Sequence, residues 1–95
     1  MRYFDGSMVT LGDVVTVPVP DGYAKARVVM IGDTYEHLYI DPSFLDWVQR
    51  ERKLDERSIV VEWIGKNPLA HNDPRYAPAG KYMFSPVGQW VSRDA

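Results

Sequence analysis

Short runs of β-branched and aromatic residues, bounded by glycine or proline turns, recur along this chain. They cover residues 14–17, 24–31, 58–64 and 81–85. Such residues fit a pleated, half-buried surface better than a helix, and the intervening glycines and prolines favour turns. We therefore predict strands at these positions. Shorter strands are expected at 69–71 and 89–92, the last with Trp90 in the core.

Alternation within the runs predicts which side chains share a face of the sheet. In the 24–31 run, the two faces are Ala24, Ala26, Val28 and Met30 on one side, and Lys25, Arg27, Val29 and Ile31 on the other. In the 58–64 run, one face carries Ile59, Val61 and Trp63, which is typical of a central strand. Pro18 and Pro20 are expected to end the first strand because proline donates no ladder hydrogen bond. A further strand is expected over 35–40.

One segment changes from the strand period to a helical one. Asp41 is a suitable N-cap and Pro42 suits the first helical position, so a short helix is predicted to begin there. The apolar residues that follow recur at helical spacing and should face the sheet: Phe44, Leu45, Trp47 and Val48.

These elements predict one domain over residues 1–95, mainly β (α+β) in class. The preferred architecture is a small SH3-like, strongly bent sheet or partly open barrel of about five strands with one short inserted helix. A plain α+β sheet with the helix packed on one face is the alternative, and the pattern alone does not separate the two.

Composition narrows the functional classes. The 95 residues include 11 Lys and Arg against 13 Asp and Glu, a formal charge of -2, so nothing in the overall charge drives binding to nucleic acid or to an acidic membrane. The absence of cysteine excludes disulfides and thiolate chemistry, and with no signal-peptide pattern it favours a cytoplasmic location. No apolar run is long enough to predict a membrane span.

The titratable residues form no recognisable catalytic or cofactor motif. The chain has two histidines, His37 and His71, and neither lies in a nucleophile, phosphate-loop or zinc-helix pattern. No enzyme and no cofactor are therefore expected. Metal ligands could come together only from two distant segments, Glu36, His37 and Asp41 with His71, Asn72 and Asp73, and such loop residues are more often solvated or locally hydrogen-bonded.

Aromatic residues are the most pronounced surplus in the composition. The chain has six Tyr, three Trp and three Phe, and a core of this size does not readily bury all twelve. Exposed tyrosines beside acids are typical of protein recognition. We therefore expect a partner-binding face made by Asp33, Tyr35, Glu36, Tyr39 and Asp41, with Tyr76 from the long loop 72–80. The competing interpretation is that these rings cover the ends of a barrel.

Several short motifs carry a resemblance to known proteins. They are Asp5-Gly6, Leu11-Gly12-Asp13 with Val15, Arg27-Val28-Val29, Val60-Val61-Glu62-Trp63 and Leu69-Ala70-His71. This set, which covers under half of the chain, resembles small bacterial β-rich immunity proteins linked to polymorphic toxins and type VI secretion. The resemblance implies a protein that binds one effector and blocks its active site without catalysis. It carries no functional residue over to this chain.

The sequence thus predicts a non-enzymatic protein-binding domain of the immunity type. The alternative is a small barrel that binds nucleic acid through the basic returning strand with Lys25 and Arg27. Charge disfavours that alternative, because residues 1–47 contain seven acids and three bases. An unpaired strand edge would also allow a homodimer.

Overall fold

The computed structural model describes residues 1–19, 22–64, 81–88 and 91–94. Within these ranges the chain forms five strands and one helix: β1 (Val14–Val19), β2 (Gly22–Ile31), α1 (Pro42–Arg50), β3 (Ser58–Trp63), β4 (Tyr82–Pro86) and β5 (Ser92–Arg93). The predicted class, mainly β with about five strands and one short helix, is confirmed. The strand expected at 69–71 and the side chain of Trp90 lie outside the described residues. Of the strand expected at 89–92, only Ser92 lies in a described strand, β5.

The strands form a single antiparallel sheet in the order β4-β3-β2-β1-β5. It is not closed, because β4 and β5 end the sheet on opposite sides within the described part of the chain. It is strongly bent. In a flat sheet, β1 and β4 would lie about 14 Å apart, yet Val17 and Pro18 of β1 line the same cleft as Met83 and Ser85 of β4.

Both faces of the sheet carry a hydrophobic core. The inner, concave face buries Val15, Val17, Ala26, Val28, Ile59, Val61 and Trp63, together with Tyr3, Val9, Val87 and Val91. The outer face packs Val29, Met30 and Val60 against the helix residues Phe44 and Val48. Each fully buried valine or larger side chain contributes about 2 kcal/mol of hydrophobic free energy. The helix therefore packs on one face of an open, bent sheet.

A β-bulge in β2 makes the two-sided packing possible. Val28 pairs with Val61 and Met30 pairs with Val60, which leaves Val29 as an extra residue without an opposite partner. The predicted alternation over 24–31 therefore holds through Val29 and is wrong at Met30 and Ile31. Met30 joins Val29 in the core under the helix, and Ile31 turns to the inner core, because one inserted residue reverses the side-chain alternation that follows it.

Two other predictions about the strands are corrected. β1 continues through Pro18, which lies opposite Tyr23. The N–H of Val28 donates to the carbonyl oxygen of Asp13, and this register turns the nitrogen of Pro18 away from β2, so the ladder between β1 and β2 loses no bond.

Residues 35–40 do not form a strand. They make only an isolated bridge, His37 to Met30, because the chain turns on both sides of it.

The helix begins as predicted. The carboxylate of Asp41 accepts hydrogen bonds from the backbone N–H groups of Ser43 and Phe44, at 3.0 and 3.3 Å. Pro42 occupies the first turn, where its missing N–H would have had no helical partner. The side chains of Phe44 and Val48 are buried, while Leu45 and Trp47 pack at the edge of the same core.

Gly32, just after β2, is the most closely packed of the described glycines. Its N–H donates to the carbonyl oxygen of Ser58 at 2.8 Å, and a Cβ at this position would overlap the carbonyl oxygen of Asp55 and lie 2.6 Å from that of Ser58.

We predict that Gly32→Ala lowers the free energy of unfolding by about 3 kcal/mol, since the backbone must move to admit the methyl group. Urea unfolding measures this. Gly88→Ala is the matched control, because a Cβ there meets no atom of the described residues within 4 Å. Equal stability of the two variants would contradict the prediction.

Candidate functional site

The predicted binding face contains four consecutive exposed residues between two anchored ends. Glu36, His37, Leu38 and Tyr39 are all exposed, whereas Tyr35 is half-buried and Ile40 is buried. We call residues 36–39 the display segment. Its backbone is hydrogen-bonded to the end of β2: the N–H of Ile31 donates to Glu36 at 3.0 Å, and that of Leu38 donates to Val29 at 2.9 Å. The side chains are therefore held on an ordered backbone.

Tyr35 anchors the start of the display segment. Its hydroxyl donates to the carbonyl oxygen of Leu54 at 2.8 Å and accepts from the N–H of Leu54 at 3.1 Å. The guanidinium of Arg52 lies 4.3 Å from the centre of its ring, a cation–π contact. The φ of Tyr35 is 60°, a left-handed conformation that costs about 1 kcal/mol or more for a non-glycine residue. These contacts offset that cost and fix where the segment begins.

Ile40 and Asp41 anchor the other end. Ile40 is buried in the core under the helix, and Asp41 caps that helix with its carboxylate. The N–H of Asp41 also donates to the Tyr82 hydroxyl at 2.9 Å, which ties the end of the segment to β4. The helix N-terminus therefore fixes where the segment stops.

The structure describes five of the six predicted site residues and divides them into three groups. Glu36 and Tyr39 present exposed side chains, and Tyr39 is 90% exposed, the highest value among the large apolar residues of the described chain. Tyr35 and Asp41 use their side chains to hold the segment. Asp33 lies beside it, with its carboxylate 2.9 Å from the Met1 amino group. Tyr76 lies outside the described residues.

The histidine and carboxylate positions considered for a metal are only partly described. The carboxylate of Asp41 is engaged at the helix N-terminus, and His37 Nδ1 lies 2.8 Å from the carbonyl oxygen of Leu38. The described ranges hold no group of three or more potential metal ligands. His71, Asn72 and Asp73 fall outside those ranges.

Sequence reasoning missed an aromatic patch between the helix and β4. Phe44, Trp47, Tyr82 and Phe84 lie together there, with ring centres 4.5 to 6.0 Å apart. Phe84 is 36% exposed. The available signal was the alternation of Tyr82 and Phe84 in one strand, but the pattern does not show that this strand lies beside the helix.

Comparison with known proteins finds no match for the chain. No family model, no curated protein and no solved structure matches it. Among the described residues, no helix combines the length and apolar character needed to cross a membrane.

The anchor at Tyr35 yields a prediction about stability. Tyr35→Phe removes both hydrogen bonds between the hydroxyl and the backbone of Leu54. The partly buried N–H and C=O groups of Leu54 then lack these partners, so the free energy of unfolding should fall by about 2 kcal/mol. Chemical denaturation measures the change. Tyr39→Phe is the matched control, since its ring is almost fully exposed, and it should leave stability unchanged. An unchanged Tyr35→Phe variant would show that the hydroxyl is no anchor.

The turn that receives Tyr35 depends on an ionised aspartate. The carboxylate of Asp55 accepts from the N–H of Arg57 and from the Ser58 hydroxyl, both at 2.8 Å. These hydrogen bonds, that from the Arg57 backbone first, lower the pKa of Asp55 below its ordinary value. A lowered pKa means that the folded state favours the ionised form.

We therefore predict that Asp55 makes the stability of the domain sensitive to acid. Its contribution is fully present above the ordinary carboxyl pKa of about 4 and is lost as the pH falls through the lower, folded-state value. Asp55→Asn should show a smaller loss of stability than wild type between about pH 5 and pH 2. Thermal unfolding across that range tests this, and parallel curves for the two proteins would refute it.

Proposed function

We propose that this chain is a non-enzymatic protein-binding domain that engages its partner through the display segment. The observation that carries the proposal is the exposure of Glu36, Leu38 and Tyr39 between two anchored ends. The tyrosine side chain offers a large contact area with a polar tip, at a small entropic cost.

Fixed ends lower the cost of binding. Ordering a mobile loop and its side chains on association costs about 0.5 to 1.5 kcal/mol for each rotamer-rich side chain. Here the backbone of the segment is already hydrogen-bonded to Val29 and Ile31. Binding through Tyr39 and Glu36 therefore costs less conformational entropy than binding through an unanchored loop.

The chemistry of the segment defines the partner surface. The Glu36 carboxylate is suited to an arginine or lysine, and the Tyr39 ring is suited to an aromatic or cationic neighbour. We propose a basic or aromatic-lined site on the partner, which the segment covers. The resemblance to immunity proteins supports a narrower form of the proposal, in which the partner is a bacterial toxin in the cytoplasm and the covered site is its active site.

The charges on the hairpin of β1 and β2 favour a protein partner over nucleic acid. Lys25 forms an ion pair with Asp94, and Arg27 lies opposite Glu62 in the register of β2 and β3. Phosphate recognition needs several cations that converge without acids among them. Binding to a mixed DNA and RNA pool at low salt that weakens steeply with added salt would support nucleic acid instead.

We predict that Glu36→Ala combined with Tyr39→Ala weakens binding to the partner about 100-fold, as loss of a central aromatic and a charged contact does in other interfaces. The partner is captured with immobilised wild-type protein, purified and titrated calorimetrically. Tyr23→Ala combined with Glu56→Ala is the matched control, since it removes an exposed tyrosine and an exposed acid elsewhere.

Each outcome of that titration decides the proposal. Loss of binding by the first variant alone, with both variants folded by circular dichroism, supports the display segment. Equal affinity of wild type and the first variant refutes it. The narrower proposal is tested by co-expression with a toxin-like protein encoded next to this gene: rescue of growth by wild type, and no rescue by the Glu36 and Tyr39 variant, supports inhibition.

A further inference from the structure

We propose that the outer edge of β4 is a second binding surface, which accepts an extended segment of a protein partner as an added strand. The segment would carry apolar side chains at alternate positions and acidic residues at its ends. This surface is distinct from the display segment, so the inference goes beyond the function proposed above.

The hydrogen-bond pattern shows which groups face outward. The N–H of Trp63 donates to the carbonyl oxygen of Lys81, and the N–H of Val87 donates to that of Arg57. Together with the register of β3 and β4, these bonds show that the backbone N–H and C=O groups of the odd-numbered β4 residues point towards β3. The N–H and C=O groups of Tyr82 and Phe84 therefore point away from the sheet. Pro86, which has no N–H, also occupies an outward position.

Within the described ranges, this edge has little protection against strand addition apart from Pro86 at its end. Exposed edges are normally blunted by charged residues within the strand, by proline, by bulges or by a covering element. The residues of β4 are Tyr-Met-Phe-Ser-Pro, without a charge, and no irregularity interrupts their pairing with β3. Within the described ranges, β4 pairs with β3 alone.

Both sides of the edge offer apolar contact. On the inner side, a cleft of about 300 Å³ is lined by Val17, Pro18, Met83, Ser85 and Val91, among others. On the outer side lie the rings of Phe84 and Trp47. Successive side chains of an added strand point to opposite faces, so one set would enter the cleft and the other would cover the rings. Strand addition gains affinity from the main chain and specificity from such alternate sites.

Cations at both ends of the edge define the charge of the occupant. Lys81 precedes the strand, with its Nζ 5.4 Å from the Tyr82 ring and 3.9 Å from the carboxylate of Glu62, and its side chain remains half-exposed beside that ion pair. At the other end, the guanidinium of Arg57 donates to the carbonyl oxygen of Val87 at 3.2 Å. Antiparallel pairing of two β4 strands centred on Phe84 would bring Lys81 of one copy towards Arg57 of the other, which is unfavourable. Acidic ends on a partner segment fit both cations.

The test uses a designed peptide, acetyl-Asp-Val-Thr-Val-Thr-Val-Asp-amide, added to the ¹⁵N-labelled chain. We expect saturable chemical-shift changes and slower hydrogen exchange at the amides of Tyr82 and Phe84. The same peptide with proline at its central position should bind about tenfold more weakly, because it cannot complete the ladder. Phe84→Lys should lower affinity to a similar extent, whereas Tyr23→Lys, an exposed strand position elsewhere, should not.

Other outcomes overturn the proposal. Absence of shift changes, or slow exchange of the Phe84 amide in the free monomer, would show that the edge is closed to a partner strand. A dimer in sedimentation that protects this amide without peptide would assign the edge to a second copy. The Glu36→Ala, Tyr39→Ala variant should bind the peptide like wild type. If it does not, the peptide binds at the display segment, so failure of the two proposals can be told apart.

Discussion

The bulge at Val29 is the local feature on which the rest of the structure depends. A regular strand would send Val29 and Met30 to opposite faces, but the extra residue puts both under the helix. The helix thus gains a continuous apolar floor with Val60, and the residues before the bulge remain free to fill the concave face. A short chain has little apolar surface to spare, and in this one a single sheet serves two cores.

The same bulged end of β2 positions the display segment. Val29 and Ile31 are the residues whose backbone groups pair with Leu38 and Glu36. On this side of β2, hydrogen bonds from β1 and the turn before it reach only as far as Val28, which leaves the edge from Val29 to Ile31 available to the segment. Gly32 then permits the close approach to Asp55 that brings the turn after the helix beside Tyr35. Exposure of Tyr39 and Glu36 is thus a consequence of packing beneath them.

Local chemistry predicted the elements whose rules depend only on neighbouring residues. Asp41 and Pro42 gave the helix start correctly, and the alternation of Ile59, Val61 and Trp63 gave the faces of β3. The bulge was not predictable, because Val28, Val29, Met30 and Ile31 are all apolar and no polar residue marks the reversal of faces. Tyrosine is common in binding faces, and this is why the sequence places Tyr35 in one. In the structure its hydroxyl instead bonds to the backbone of Leu54, 19 residues further along the chain. Long-range pairing of this kind has no local signal.

Tyr82 connects the two proposed binding surfaces. It is the first residue of β4, its ring stacks on Phe44 with centres 4.5 Å apart, and its hydroxyl accepts the hydrogen bond from Asp41 that ends the display segment. A strand added to β4 would bind the backbone of this same residue. Because the ring is held by stacking and by the hydrogen bond together, strand addition would restrain Tyr82 without moving it. The two proposed surfaces therefore share Tyr82, whose backbone lies on the edge of β4 and whose hydroxyl holds the end of the display segment.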